Sequence, residues 1–236
     1  MARIERAKTI FFNLICGIST VCLRPVVALS PTRHLSPTYW HSNRYHLFIM
    51  HDTYTQDKTF NQNDVLLAGE YDHCVFNGCS IADNDLSGSK FTDCVFHGCN
   101  LSMTTLEKAA FRDVVFKDCK MLGLRFDTCN ALGLSFSFEG CQLNHASFYK
   151  TKIKNTVFKN SQLQETDFAG ADLTGVVFDQ CNLAQAIFDQ TTLEKADFRT
   201  ASHYSIDPEN NRIKKAKFAL AGLPGLLDKY DVHIDR

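Results

Sequence analysis

A period of five residues runs through most of this 236-residue chain. From Leu66 onward every fifth residue is large and apolar, with the single exception of Ala131, and after a two-residue slip within residues 135–138 the series continues to Phe198. A period of five fits neither the 3.6 residues of a helical turn nor the two-residue alternation of a strand. Each five-residue unit must therefore form one short side of a coil, with its central residue pointing inward.

The central positions supply the predicted core. Residues 20 apart should stack, so that Phe138 and Phe158 belong to one column, Phe148 and Phe168 to the opposite one, and Leu143 lies between them. Burial of each such side chain contributes roughly 1.5–3 kcal/mol before entropy. A filled interior of this kind predicts a solid rod without a pocket. The predicted core phenylalanines are Phe76, Phe91, Phe96, Phe111, Phe116, Phe126, Phe138, Phe148, Phe158, Phe168, Phe178, Phe188 and Phe198.

The residue two before each central position is small, and cysteine is frequent there. We interpret these cysteines as small buried hydrophobes with free thiols. The five-residue spacing of Cys74 and Cys79 is what the repeat produces, so we expect neither a metal site nor disulfides. The inward small cysteines are Cys74, Cys79, Cys94, Cys99, Cys119, Cys129, Cys141 and Cys181.

The units read as a small residue, then Asp or Asn, then Leu or Phe, as in Ala171-Asp172-Leu173 and Ala196-Asp197-Phe198. This pattern resembles the pentapeptide-repeat family over about residues 64–200. The resemblance implies an all-β fold, a right-handed quadrilateral β-helix with four units in each coil. The repeat region would then make about seven coils, and at a strand spacing of about 4.8 Å it would form a rod about 33 Å long, comparable in width to duplex DNA.

Four segments are predicted. Residues 1–49 form an N-terminal extension, 50–63 an N-terminal cap, 64–200 the β-helix and 201–236 a C-terminal cap. In the cap, Leu220, Leu223 and Leu227 recur at helical spacing, and Val232 and Ile234 alternate as in a short strand. Because related pentapeptide-repeat proteins dimerise through a C-terminal element, we expect a homodimer through this segment.

The N-terminal extension differs from the rest in charge. Residues 1–49 have six basic side chains and one acidic one, a net charge of +5, whereas the remainder has a net charge of −6. Residues 9–23 are mostly apolar between basic flanks, which is the order of a signal peptide. Three interpretations stay open: translated upstream sequence with the true start at Met50, an export signal within residues 1–28, or an extension of unexplained role.

No catalytic motif accompanies the repeat. The histidines after Met50 are scattered, and no nucleophile triad, paired carboxylates or phosphate-binding loop stands out. We therefore expect a protein that is not an enzyme, with no catalytic residues, cofactor or metal.

Two functions remain. Qnr-type members of the family protect DNA gyrase and topoisomerase IV from quinolones, and are thought to do so as DNA mimics; residues 64–198 have 18 acids and 11 bases, a net charge of −7 that fits this role. The alternative is a scaffold rod with an unknown protein partner. Either interpretation predicts no direct nucleic-acid binding, and the first predicts a cytoplasmic protein. The chain lacks the projecting loops common in Qnr-type proteins, so no partner-binding residue can be assigned by resemblance.

Overall fold

The computed structural model of the protein describes residues 53–234. The interpretations of residues 1–49 and of Met50 lie outside the described residues. Within them the chain winds as a parallel β-solenoid whose turns stack in register. Eleven short strands form two of its sides, and single bridges between turns, such as Gln142 with Gln162, form the other two.

The two sheets are both parallel. One has the order β1-β3-β5-β7 and the other β11-β10-β9-β8-β6-β4-β2. The strands are β1 Tyr54–Gln56, β2 Thr59–Phe60, β3 Glu70–Asp72, β4 Val75–Asn77, β5 Lys90–Thr92, β6 Val95–His97, β7 Ala110–Arg112, β8 Val114–Lys117, β9 Phe136–Glu139, β10 Val157–Lys159 and β11 Val177–Asp179.

Four interior columns fill the solenoid, and we number the outer faces after them. Column 1 runs from Phe60 through Phe76 to Phe218, column 2 from Ile81 to Leu183, column 3 from Leu66 to Phe188 and column 4 from Tyr71 to Ile213. Six complete turns separate Phe76 from Phe198, somewhat fewer than the seven predicted, and partial turns follow at each end.

The phenylalanines stack as the 20-residue spacing predicts. In column 1 the rings of Phe138 and Phe158 are 5.0 Å apart and inclined by 6°, and those of Phe158 and Phe178 are 5.2 Å apart. Across the interior, Phe148 meets Phe158 edge to face at 5.8 Å and 85°. Offset-stacked and edge-to-face pairs are the arrangements that aromatic rings prefer. All thirteen phenylalanines of the predicted core are buried.

The small inward position is a hydrogen-bonding position. Its side chain donates to the carbonyl of the central residue one turn earlier: Cys99 Sγ to Phe76 O at 3.2 Å, Thr104 Oγ1 to Ile81 O at 2.9 Å and Thr166 Oγ1 to Leu143 O at 3.1 Å. Two of these carbonyls also accept within a turn, Ile81 O from Asn84 N and Leu143 O from Ala146 N. The cysteines are therefore weak donors as well as small hydrophobes, which is why Thr and Ser share their position.

The two-residue slip lies earlier than predicted. The chain bulges outward at residues 131–133, where Ala131 is exposed and Leu132 is 75% exposed, and Leu134 packs against the core again. Phe136 then pairs with Val114 and is buried, so the solenoid resumes at once. The predicted inward position of Cys129 is only half-buried, because a 3-10 turn at Phe126–Thr128 and this bulge displace it from the regular turn.

The C-terminal segment is helical, as the spacing of its leucines predicts, but its helices are of the 3-10 type, and the predicted short strand is wrong. Leu220–Leu226 and Asp228–Tyr230 are 3-10 helices, and residues 232–234 have no regular structure. Pro224 cannot donate a backbone hydrogen bond, and a side chain at Gly222 or Gly225 would overlap Tyr204. The segment is held at its far end, where Lys229 Nζ lies 2.6 Å from Asp207 Oδ1 and 2.7 Å from Glu209 Oε2.

The threonine hydrogen bonds can be tested with matched substitutions. Thr166→Val and Thr191→Val each remove one donor to a carbonyl of the preceding turn while keeping the side-chain volume. Each should lower the free energy of unfolding by about 1 kcal/mol in urea denaturation. Thr192→Val, at an outward half-buried position in the same turn, is the control and should be close to neutral. Equal effects at positions 166, 191 and 192 would contradict a role for the hydrogen bond.

Candidate interaction surface

The described part of the solenoid has a cleft on its outside. The cleft, of about 490 Å³, lies between the last turn and the C-terminal 3-10 segment, where Ser202, His203 and Asp228 line it. Ser202 Oγ donates to Cys181 O, and His203 Nδ1 lies 3.2 Å from Asn182 Oδ1. The hydroxyl and the imidazole therefore have separate partners and do not form a nucleophile–base pair.

Asp72, His73 and Asp93 form a cluster that the sequence analysis missed. Their ligand atoms all lie within 4.8 Å of one another. His73 Nδ1 lies 2.8 Å from Asp72 Oδ1, and Nε2 lies 3.9 Å from Asp93 Oδ2. The hydrogen bond with Asp72 and the nearby carboxylate charges raise the pKa of His73. Because each ring nitrogen faces a carboxylate, a protonated imidazole completes this exposed cluster as an ion pair. The 20-residue spacing of His73 and Asp93 could have predicted this cluster, because residues 20 apart stack on neighbouring turns.

Face 1 carries a ladder of valines that the sequence analysis also missed. They precede the column 1 phenylalanines, so β4, β6, β8, β10 and β11 each place one on the outer side of the seven-stranded sheet. Four are half-buried and Val157 is 40% exposed, and Ser137 of β9 interrupts the series. The result is a narrow apolar stripe along a flat sheet. The members of this valine ladder are Val75, Val95, Val115, Val157 and Val177.

Several charges on the faces are paired between turns. Glu139 Oε1 lies 2.8 Å from Lys159 Nζ, and Glu139 Oε2 lies 3.8 Å from Lys117 Nζ. Lys159 holds the pKa of the Glu139 carboxyl below its ordinary value. Similar pairs join Lys154 to Asp172 at 3.0 Å and Arg212 to Glu194 at 2.7 Å. No face therefore presents an uninterrupted acidic stripe over the described turns.

Across residues 53–234, none of the helices has the length and apolar character needed to cross a membrane.

The geometry agrees with a comparison of the sequence with protein families. The family described as "Pentapeptide repeat region" matches residues 89–168 and 134–206, which together make up half of the chain. The chain belongs to the pentapeptide-repeat family. No curated protein matches the sequence.

Solved structures of other pentapeptide-repeat proteins are similar to this chain at low identity. Full-length QnrB1, described as a plasmid-mediated fluoroquinolone resistance protein, is 13% identical, with a TM-score of 0.49 over 76% of this chain and 100% of that one. HetL, involved in heterocyst differentiation regulation in the cyanobacterium Nostoc sp. strain PCC 7120, is 13% identical, with a TM-score of 0.42 over 72% of this chain and 86% of that one.

Most cysteines of the pentapeptide repeats are buried, and burial raises the pKa of several of their thiols. Burial raises the pKa of the Cys94 and Cys181 thiols to about 11 and that of Cys129 to about 12. The pKa of Cys99 is raised by its hydrogen bond with Cys119 and by burial. The pKa of Cys141 is instead lowered by its hydrogen bond with Cys119. Seven of the eight cysteines in the described turns are buried, and Cys129 is half-buried. Thiolate is the reactive form, and a pKa of about 11 leaves only about one thiol in ten thousand ionised at neutral pH.

This predicts slow and ordered thiol modification. In a Cys16→Ser/Cys22→Ser variant at neutral pH, DTNB should react first, although slowly, with Cys129, because the reagent can reach this half-buried sulfur in spite of its raised pKa. The other seven cysteines should react only after urea is added. The reaction in urea supplies the count of eight thiols. A rapid reaction of all eight thiols without denaturant would contradict the burial of these cysteines.

Proposed function

We propose that this protein is a non-enzymatic interaction module that binds a protein partner along face 1. The observation that supports this most strongly is the valine ladder on the outer side of the seven-stranded sheet. The backbone of that sheet is paired along its length, so recognition there depends on side chains and not on strand addition. The rigid stack keeps neighbouring valines at the spacing of adjacent strands, about 4.8 Å.

A second candidate partner is DNA gyrase or topoisomerase IV, bound by DNA mimicry in the cytoplasm. The net charge of −7 over residues 64–198 favours it. A duplex about 33 Å long carries about 19 negative charges, so the solenoid has roughly a third of that density. The pairing of Glu139 with two lysines reduces its effect further. At this magnitude the charge would mainly speed association with a basic groove and select for it.

One experiment separates these candidates. Gyrase supercoiling is measured with the full chain, with and without a quinolone, at about 0.01 M and about 0.15 M salt, between which the Debye length falls from about 30 Å to about 8 Å. The test variant is Val115→Asp/Val157→Asp, and the matched control is Lys117→Ala/Lys159→Ala on the same strands. Binding through the valine ladder should be lost in the test variant, kept in the control and nearly independent of salt.

The results of this experiment distinguish DNA mimicry from docking on face 1. Protection or inhibition that fades at the higher salt, with the valine variant unaffected, would support the DNA mimic and contradict docking on face 1. No effect of the wild type at micromolar concentration would exclude gyrase as the partner. Docking on face 1 is then tested by affinity capture: a protein retained by the wild type and the lysine control but lost with the valine variant would support it, and identical retention by all three would overturn it.

We further propose that the C-terminal segment contributes to self-association. Leu220 is 85% exposed, Leu223 40% and Leu227 39%, and neither 3-10 helix has a buried residue. Exposed leucines grouped on a short segment favour an apolar contact with a second copy. An apolar contact of this kind is weakly affected by salt, which distinguishes it from the contact proposed next.

A further inference from the structure

One corner of the solenoid separates its charges along the axis. This corner lies between faces 4 and 1, and each turn contributes one residue to it. The stacking is direct: His73 Nε2 lies 3.9 Å from Asp93 Oδ2, and Ser135 Oγ donates to Asp113 Oδ1 at 2.8 Å. We call it the corner ladder. Asp57 and His73 occupy this corner in the first two turns, and over the seven turns that follow the ladder consists of Asp93, Asp113, Ser135, Asn155, Gly175, Lys195 and Lys215.

The two ends of the ladder have opposite charge and the centre has none. Lys195 and Lys215 are exposed on adjacent turns and form no ion pair with any described residue. Asp93 and Asp113 are also exposed on adjacent turns, and His73 Nε2 lies 3.9 Å from Asp93 Oδ2 on the other side. Like charges that lie directly opposite one another on neighbouring strands are destabilising. Nothing within the described chain compensates the lysine pair, so a contact with another molecule is the arrangement that would relieve it.

The order of the charges is self-complementary under a two-fold rotation. If a second copy lies antiparallel beside this corner with Asn155 at the axis, Asp93 is level with the second copy's Lys215 and Asp113 with its Lys195. Ser135 is then level with Gly175, so the middle of the contact is small. An isologous contact needs this kind of symmetry, in which residue i meets j and j meets i.

Neighbouring positions follow the same rotation. Arg112, next to Asp113, is exposed and forms no ion pair in the described residues. It becomes level with the second copy's Glu194, which also lies 2.7 Å from Arg212 of its own chain. Val157, the most exposed member of the valine ladder, lies at the axis and meets its own counterpart. Lys154 also meets its counterpart, but Asp172 at 3.0 Å offsets its charge.

We propose that the corner ladder binds a second copy of this chain in an antiparallel, side-by-side dimer. The contact would extend over six turn spacings, about 29 Å, but it is only a corner wide. Its area therefore falls below the roughly 800 Å² per partner of a standard stable interface, and the association is weak and reversible. Exposed ion pairs carry it, so it weakens as salt is added. This inference does not depend on the partner proposed for face 1.

Two complementary charge-reversal variants test the proposed dimer, because each should fail to associate with itself but should associate with the other. One full-length variant is Asp93→Lys/Asp113→Lys, whose ladder is basic at both ends, and the other is Lys195→Asp/Lys215→Asp, whose ladder is acidic at both ends. Asp and Lys already occupy these left-handed positions, with φ between 50° and 61°, so the exchange keeps the backbone. Sedimentation equilibrium is measured at about 0.01 M and about 1 M salt, and thermal unfolding checks that each variant is folded.

Each variant alone should lose at least about tenfold in the dimerisation constant at low salt. An equimolar mixture of the two, and the variant with all four exchanges, should recover it. Leu220→Ser/Leu223→Ser should leave this salt-sensitive association unchanged. Wild-type chain that stays monomeric at low salt, reversal that has no effect, or folded variants that do not associate when mixed would overturn the proposal.

Discussion

In-register stacking of successive turns is the constraint on which the rest of this structure depends. Each residue lies on its counterpart in the next turn, usually 20 positions away, so that one choice of residue type is repeated along a ladder. In the interior this condition selects flat or branched apolar side chains that pack on their own kind, as Phe138, Phe158 and Phe178 do at about 5 Å. On the surface it aligns side chains of the same position into stripes, so the solenoid's interaction properties follow from the same repeat as its core.

Stacking also explains the composition of the corners. The carbonyl of Leu143 accepts from Ala146 N within its own turn and from Thr166 Oγ1 of the next turn. A donor small enough to fit inside the corner is needed for the second bond, and Cys, Thr and Asn meet that condition, as Asn211 Nδ2 shows by donating to Phe188 O at 2.9 Å. Cysteine is thus frequent for a structural reason, and burial raises the pKa of thiols such as those of Cys94 and Cys181.

The period of five made the fold and the phenylalanine columns predictable, because every unit repeats the same evidence. Features that occur only once in the chain were harder to predict. Periodicity showed that two residues had to be inserted near Phe136, but the exposed Leu132 could not be recognised as the bulge, because an apolar residue there also fits the interior. The C-terminal leucines have helical spacing, yet Pro224 and the close approach of Gly222 to Tyr204 favour a 3-10 segment. The valine and corner ladders could be read only after that bulge had been placed, since it sets which residues are level.

Two ladders of this solenoid show how the same repeat can direct charge inward or outward. On face 1, Lys117, Glu139 and Lys159 alternate in sign, so neighbouring turns neutralise one another through ion pairs of 3.8 and 2.8 Å. The corner ladder instead groups Asp93 and Asp113 at one end, where His73 lies beside Asp93, and Lys195 and Lys215 at the other, so that like charges stack together. Alternation is the arrangement that stabilises an isolated solenoid, whereas segregation opposes it by repulsion between turns. A segregated ladder is therefore best explained by a second surface of opposite order, and the antiparallel copy of the same ladder has that order.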